Sequence, residues 1–252
     1  MRSYSEVTRV GNLLGSGLND CEVARLTGIP RSTIRDWRSR QRWVGHPRES
    51  CSRCGATVHD FEHLPASYVY LLGLYLGDGC LSAHRRGVYR LRVVLDSRYP
   101  GIVAECAAAM RDVLPSNRPG LQPKQDENAW EVWICSKQLP CLFPQHGAGK
   151  KHERRIELAD WQRRAVARHP QLLLRGLIHS DGCRATNTIR HERKTYAYPR
   201  YSFSNRSNDI RRIFCDACDL LAIEWRVMNA CNISVARRCS VARLDEFVGP
   251  KT

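Results

Sequence analysis

The chain has 252 residues, of which 42% are hydrophobic, and a formal net charge of +15. This length allows one large or two modest domains with a substantial core, and the basic balance makes nucleic acid the leading candidate partner. No apolar run reaches the length of a transmembrane helix and no signal peptide opens the chain, so we expect a cytoplasmic protein without a membrane partner. The twelve scattered cysteines are then expected to be reduced thiols and not a disulfide framework.

Residues 1–43 show the pattern of a helix-turn-helix domain. A first helix is predicted up to Leu14, Asp20 caps a second, Gly28 supplies the tight turn, and Ser32 starts a third. The third helix is expected to face a DNA groove or the phosphates. Its candidate contact residues are Arg31, Ser32, Thr33, Arg35 and Arg38. The alternative is a three-helix packing module with a solvated basic face.

A linker is predicted over residues 44–64, and it contains a candidate zinc site. Cys51, Cys54, His59 and His63 follow one another in the order C-x2-C-x4-H-x3-H. Two thiolates and two imidazoles at this spacing can close a small tetrahedral site. The alternative is that the two histidines, which lie close to an apolar helix, have no ligand role.

Residues 71–79, with the sequence Leu-Leu-Gly-Leu-Tyr-Leu-Gly-Asp-Gly, predict an apolar helix that ends on an acid. Gly73 and Gly77 stand four residues apart on one face, and small residues at this spacing let two helix backbones approach closely. We expect Gly79 to end the helix and to leave Asp78 at its C-terminus.

The same pattern returns at residues 174–182, with the sequence Leu-Arg-Gly-Leu-Ile-His-Ser-Asp-Gly. Here Gly176 and Ser180 are the small pair, Asp181 is the acid and Gly182 is the stop. If the two helices pair, two carboxylates meet where both helix dipoles are already negative. A divalent cation would resolve this repulsion, because hard cations bind carboxylate oxygens.

The rest of the chain divides into two similar halves, residues 65–150 and 171–252, joined by a helix within residues 151–170. Strands are predicted at 88–95, 130–135, 198–205 and 225–236. Helices are predicted at 101–113, 139–143, 157–169 and 208–221, and residues 244–248 close the chain.

Together the two repeated stretches resemble the motif of the LAGLIDADG homing endonucleases, and the resemblance covers roughly residues 65–250. It implies an α+β fold in which two pseudo-symmetric αββαββα halves meet through their motif helices. It also implies that Asp78 and Asp181 bind the catalytic magnesium or manganese ions. The first acid of the family's motif is replaced by Leu76 in one copy and by His179 in the other.

The same resemblance suggests further site residues. In this family the strands lie along the major groove of DNA, and a basic residue near the metals polarises the phosphate or the water. The groove-facing candidates are Arg90, Arg92, Arg200, Ser202 and Arg226. Lys137 is the catalytic candidate of the first half, and Arg238 is its counterpart when Ile134 is aligned with Val235. The alternatives are a solvated basic face and a surface lysine without a role.

The sequence therefore predicts a site-specific endonuclease that acts on double-stranded DNA as a monomer. Met1 and the end Pro250-Lys251-Thr252 lack the residues that protein splicing needs, so we expect a free-standing form. One alternative is a DNA-binding transcriptional regulator built on a catalytically inactive core of the same kind. Another is an RNA-splicing cofactor that uses the same fold on structured RNA.

Overall fold

A computed structural model describes residues 3–39, 51–55, 59–125, 127–191, 194–249 and 251. The chain divides into two compact units, Met1–Cys51 and Ser52–Thr252. Much of the predicted linker, residues 44–50 and 56–58, lies outside the described residues. None of the helices in the described part of the chain is long and apolar enough to cross a membrane.

Within residues 3–39, the described part of the first unit has three helices, α1 (Tyr4–Gly15), α2 (Asp20–Thr27) and α3 (Arg31–Ser39). Its core consists of apolar side chains from all three helices and from the turn before α3. These are Val10, Val23, Ile29, Ile34 and Trp37. The predicted turn is present, because Gly28 ends α2 with a φ of +67°, a left-handed conformation that glycine adopts without strain.

The start of α2 differs from the prediction. Asn19, and not Asp20, caps this helix, because its side chain accepts hydrogen bonds from the backbone N–H groups of Cys21 at 3.0 Å and Glu22 at 3.1 Å. Asp20 is the first helical residue, and its carboxylate pairs with Arg38 at 3.0 Å.

The second unit contains the element order αββαββα twice. The first copy is α4 (Ser67–Leu76), β1 (Gly79–Ala83), β2 (Tyr89–Asp96), α5 (Pro100–Val113), β3 (Gly120–Lys124), β4 (Ala129–Ser136) and α6 (Leu139–Leu142). The helix α7 (Asp160–Arg168) connects the copies. The second copy is α8 (Pro170–Asp181), β5 (Gly182–His191), β6 (Lys194–Ser204), α9 (Asn208–Leu220), β7 (Arg226–Val227), β8 (Asn232–Val235) and α10 (Arg238–Asp245). The predicted α+β class with two like halves is confirmed.

Each copy forms one antiparallel four-stranded sheet, with the strand orders β1-β2-β4-β3 and β5-β6-β8-β7. The central strands alternate as a half-buried sheet requires: Leu91, Val93 and Leu95 of β2 are buried, and the residues between them are not. The strands absent from our prediction, β1, β3 and β5, all lie at sheet edges. Edge strands carry weaker patterns, and β3 even contains Pro123, which an edge tolerates.

The two repeated helices, α4 and α8, lie in the centre of this unit. Every residue from Tyr68 to Leu76 is buried, and one core cluster includes side chains of both copies. The final helix, α10, begins at Arg238 and was not predicted from the sequence.

The end of α4 also differs from the prediction. Gly77 is the C-cap, with its N–H donating to the carbonyl of Gly73 at 3.2 Å, so the helix stops before Asp78. Gly79 instead begins β1, and an ideal Cβ there would lie 2.4 Å from the Cα of Tyr75. The first strand therefore starts directly against the helix. In the second copy Gly182 is the C-cap, as predicted.

Candidate active site at the ends of the paired helices

The helices α4 and α8 touch through their backbones. A Cβ at Gly73 would lie 2.6 Å from the carbonyl oxygen of Leu173, and one at Gly176 would lie 2.3 Å from the carbonyl oxygen of Tyr70. Real Cβ atoms do not reach such distances, so both positions require glycine at this separation. The close contact predicted from the spacing of small residues is present.

This contact brings the two acids together. Asp78 follows the cap of α4 and Asp181 is the last residue of α8. An ideal Cβ at Gly77, the neighbour of Asp78, would lie 3.1 Å from Oδ2 of Asp181. The same Oδ2 accepts a hydrogen bond from Nδ2 of Asn205 at 2.6 Å. None of the described residues donates a hydrogen bond to Asp78, so its carboxylate keeps its acceptor capacity.

The surroundings disfavour the charged form of both acids. Burial, and then the negative charge of Asp181, raises the pKa of Asp78 from 3.8 to about 6. Burial also raises the pKa of Asp181, against the hydrogen bond from Asn205. Asp78 is exposed to solvent, although many protein atoms lie around its carboxylate. The pair is therefore open to small solutes at one side.

Two lysines that the sequence analysis did not select complete the cluster. Nζ of Lys151 donates to the carbonyl oxygens of Tyr75 at 2.6 Å, Leu76 at 3.0 Å and Gly77 at 2.5 Å. This ammonium therefore satisfies the C-terminal carbonyls of α4 and offsets the negative end of its dipole. Burial lowers the pKa of Lys151 to about 8, although both acids favour its charged form.

Lys251 has the corresponding role at the second helix. Its Nζ donates to the carbonyl oxygens of His179 at 3.1 Å and Gly182 at 2.6 Å. Burial lowers its pKa, while Asp78 and Asp181 are among the groups that favour its charged form. The C-terminal end of each motif helix is thus bound by a lysine that follows the last helix of its copy.

A weak repeat in the sequence could have revealed these lysines. Gly149-Lys150-Lys151 and Gly249-Pro250-Lys251 share the pattern Gly-x-Lys. Their lysines lie 100 positions apart (151 and 251), close to the 103 positions between the acids (78 and 181). Both glycines have a positive φ, +75° for Gly149 and +69° for Gly249. A three-residue pattern becomes informative only when it is compared with the spacing of the longer repeat.

The residues that replace the first acid of each motif are structural. Leu76 is fully buried. His179 is buried beside Tyr70, whose hydroxyl lies 2.9 Å from its Nδ1, and its Nε2 faces the carbonyl oxygen of Val248 at 3.4 Å. Burial, with the nearby Arg175, lowers the pKa of His179 to about 4, so the ring is neutral and connects the two helices.

Lys137 and Arg238 lie on the surface. Lys137 is exposed after the end of β4, and Arg238 is exposed at the start of α10. The charged groups that act on Asp78 in the described part of the chain are Asp181, Lys151 and Lys251. Neither predicted basic residue is among them, so their catalytic role stays a prediction without geometric support.

The outer face of the first sheet carries the two predicted arginines of β2. Arg90 and Arg92 alternate with buried Leu91, as predicted, and lie opposite Cys135 and Trp133 of β4. The guanidinium of Arg90 lies 4.4 Å from the centre of the Trp133 ring. Glu131, which the prediction did not consider, binds Arg90 at 2.6 Å and lies 3.8 Å from Arg92. This acid partly neutralises the pair.

The second sheet presents a comparable face. Arg200 and Ser202 of β6 alternate with buried Tyr201. Ser202 lies opposite Ser234 of β8, and Arg226 of β7 lies opposite the same serine from the other side. Three guanidinium Nε atoms on these two faces are buried yet have no hydrogen-bond partner in the described part of the chain. They belong to Arg90, Arg92 and Arg200. Such unsatisfied donors suit acceptors that come from another molecule.

The predicted contact residues of the helical unit lie on α3. Arg31, Ser32 and Arg35 are exposed, and Thr33 is half-buried. Arg38 is also exposed but is already paired with Asp20. The core of this unit contains Ile34 and Trp37 from the other side of the helix, so the basic face points outward.

The predicted zinc ligands are only partly brought together. Ligand atoms of Cys51, Cys54 and His59 lie within 4.8 Å of one another, and the fourth member of this cluster is Cys141. His63 is not part of it: its side chain is 84% exposed, and its Nδ1 lies 2.7 Å from Oδ2 of Asp60. The choice of His63 as the fourth ligand is therefore wrong for this geometry, because its ring points to solvent.

The two acids fit a hard divalent cation. Their donors are carboxylate oxygens, which magnesium and manganese prefer. The carboxylate of Asp78 has no competing donor among the described residues, and its pKa is raised by burial and then by the negative charge of Asp181. A cavity of about 280 Å³ opens beside Asp78 and is lined also by Asp96 and Lys251.

No protein-family model matches the sequence, and no curated protein matches it. Solved structures with a similar fold include mesophilic variants of the homing endonuclease I-DmoI, at 14% identity and a TM-score of 0.49, over 76% of this chain and 97% of that chain. The LAGLIDADG meganuclease I-AabMI bound to uncleaved DNA is similar at 10% identity and a TM-score of 0.45, over 71% and 82%. The N-terminal LAGLIDADG domain of WhiA is similar at 11% identity and a TM-score of 0.41, over 77% and 88%.

Proposed function

We propose that this chain is a metal-dependent DNA endonuclease with one cleavage centre at the paired helix ends. The observation that carries the proposal is the convergence of Asp78 and Asp181, two electrostatically unfavourable carboxylates held together by a glycine contact. A fold alone gains nothing from this arrangement, since asparagine at either position would remove a negative charge from the cluster. The repeated motif supports the same assignment. In the family that it resembles, the corresponding acids are the metal ligands.

In this proposal Asp78 and Asp181 hold magnesium or manganese ions. When bound, a divalent cation supplies Lewis-acid stabilisation of the phosphodiester oxygens and lowers the pKa of a coordinated water. Asn205 orients Asp181 through its 2.6 Å hydrogen bond, and Lys151 and Lys251 fix the two helix ends. The two ammonium groups also add positive charge where a phosphate would approach.

The outer faces of the two sheets are proposed to contact the DNA. Each half would cover one half of the target as a monomer, with Arg90 and Arg92 on one side and Arg200 and Arg226 on the other. Their donors provide phosphate contacts and bidentate contacts to guanine. The basic face of α3 would add a second contact region.

The proposal is tested by a cleavage selection on a randomised duplex library with magnesium. The expected result is enrichment of one sequence that is cut in both strands, with loss of cutting in chelator. A salt-dependent shift assay with the selected duplex and with a structured RNA of equal length separates the DNA partner from the RNA alternative. Tighter binding of the RNA at every salt concentration would overturn the choice of duplex DNA.

A DNA-binding regulator with an inactive core is the alternative function. The observation in its favour is the lysine pair, because Lys151 and Lys251 offset the charges of both acids without a metal ion. If the wild-type protein binds a selected duplex with magnesium or manganese and never nicks it, the endonuclease proposal fails and the regulator remains.

The helical unit provides a separate prediction. Replacing Arg31 and Arg35 by alanine is expected to weaken binding of the selected duplex about tenfold and to flatten the dependence of log K on log salt by about one to two units. The matched control replaces Arg9 of α1 and Arg25 of α2 by alanine. Both side chains are exposed, and this change removes the same amount of charge. Fluorescence anisotropy over a salt series measures both effects. Equal losses in the two double variants would mean that total charge, and not the face of α3, determines binding.

A further inference from the structure

A second metal centre is indicated away from the paired acids. Four potential ligand atoms, from Cys51, Cys54, His59 and Cys141, all lie within 4.8 Å of one another. Sγ of Cys54 and Nε2 of His59 are 3.1 Å apart. A tetrahedral zinc ion with Zn–S of about 2.3 Å and Zn–N of about 2.0 Å places its ligands about 3.6–3.8 Å apart. The observed cluster needs only small side-chain movements to reach this arrangement.

Protein contacts organise the backbone around the cluster. Cys51 and Cys54 bracket one tight turn, and the ring of His59 stacks on Phe61 at 5.0 Å. Phe61 in turn stacks on Trp161 of α7 at 4.3 Å. The imidazole is therefore held by aromatic contacts that leave Nε2 directed to the thiol of Cys54.

Cys141 reaches the cluster from a distant part of the chain. It lies in α6, where its N–H donates to the carbonyl of Gln138 at 2.9 Å. The next residue, Leu142, accepts a hydrogen bond from the buried hydroxyl of Tyr68 at 2.7 Å, which ties α6 to the start of α4. Cys141 and Cys54 are only 8% and 9% exposed, so two of the ligands are shielded from water.

We propose that Cys51, Cys54, His59 and Cys141 form a structural zinc site. Three thiolates and one imidazole are a donor set that zinc prefers, and four protein ligands leave no position for a substrate. The site would connect the segment before α4 to α6. The hydrogen bond between Gln162 and the hydroxyl of Tyr68 lies in the same part of the unit. It does not depend on the proposed nuclease function. The described cysteines of the cluster are not joined by a disulfide bond, which agrees with thiolate ligands.

The test measures metal in the full-length protein after gel filtration. Wild type is expected to contain about one zinc per chain, and Cys54→Ser and Cys141→Ser are expected to lose it. The matched controls are His63→Ala, which removes the histidine outside the cluster, and Cys239→Ser, which removes an exposed thiol of α10. Both controls are expected to keep the zinc. Retention in Cys141→Ser together with loss in His63→Ala would overturn the proposed ligand set.

A second measurement covers variants that fail to fold. Wild-type protein loaded with cobalt(II) is expected to show the visible absorption of a tetrahedral ion and a thiolate charge-transfer band. Native alkylation followed by mass spectrometry is expected to find three cysteines, Cys51, Cys54 and Cys141, protected in the zinc form and modified after chelation. Folded wild type that takes up neither zinc nor cobalt, or that contains a Cys54–Cys141 disulfide in reducing buffer, would overturn the site.

Discussion

Replacing Asp78 and Asp181 together by asparagine is expected to abolish DNA cleavage and to leave the fold intact. Asparagine keeps the shape of aspartate but cannot supply the negative charge that holds a divalent cation. The measurement is conversion of a supercoiled plasmid with the selected target into nicked and linear forms with magnesium. Each single variant keeps one acid, so residual nicking of one strand is the expected intermediate result.

A measurement of stability distinguishes loss of metal binding from damage to the fold. The pKa of Asp78 is raised from 3.8 to about 6 by burial and by Asp181, so the unfolded chain releases this proton first. Without metal, the free energy of unfolding of the wild type should therefore fall as the pH rises from about 4 to about 6. Asp78→Asn removes the contribution of Asp78 to this slope and gains up to about 1 kcal/mol at neutral pH, a small value because the side chain is exposed.

The control for the double variant is Asp112→Asn, an exposed residue of α5. It removes a carboxylate from the same unit without touching the acid pair, so cleavage should stay at the wild-type rate. Undiminished cleavage by the double variant would show that the two acids are not the metal ligands. Loss of cooperative unfolding in the double variant would contradict the predicted gain in stability.

Replacing Gly176 by alanine is expected to destabilise the second unit by about 3 kcal/mol, at the upper end for an overpacked core. The new Cβ would lie 2.3 Å from the carbonyl oxygen of Tyr70, and a backbone atom on a buried helix cannot turn away as a side-chain tip can. The helices must separate, which also displaces Asp78 from Asp181 and should lower cleavage. Urea unfolding followed by circular dichroism measures the effect on stability.

Gly147→Ala is the matched control for this change. Its Cβ would meet only the flexible side chain of Arg154, at 3.4 Å, so a change within about 0.5 kcal/mol is expected. Gly73→Ala should act like Gly176→Ala, and the double variant should cost less than the two losses added, because one separation relieves both contacts. A fully stable Gly176→Ala protein would mean that the helices do not touch at this position.

The central elements could be predicted from sequence because their signals are local. The small residues, the acids and the apolar positions of α4 and α8 fall within two repeated nine-residue stretches, and the alternation of β2 is visible around Leu91. The edge strands β1, β3 and β5 have no comparable pattern, because an edge is exposed and its side chains are weakly constrained.

The residues of the candidate site differ in the same way in how local their signals are. Asp78 and Asp181 carry their own motif, whereas Lys151 and Lys251 act on helix ends about seventy residues before them, a contact that only the folded chain shows. The prediction for Lys137 depends on its position after a strand, and such a position does not determine where a side chain points. Cys141 lies far along the chain from Cys51, Cys54 and His59, so no local spacing pattern includes it.

The junctions at Gly79 and Gly182 limit how the DNA target of the proposed nuclease could change. At both junctions the first strand of the copy begins directly against the motif helix. No loop therefore separates the acid at the helix end from the sheet that follows it. One inserted residue in α4 would turn everything after it by about 100° around the helix axis, and would move Asp78 together with the arginines of the strands. If the proposed DNA contacts hold, retargeting would have to proceed by exchange of side chains on the outer sheet faces, while the length from helix to strand stays constant.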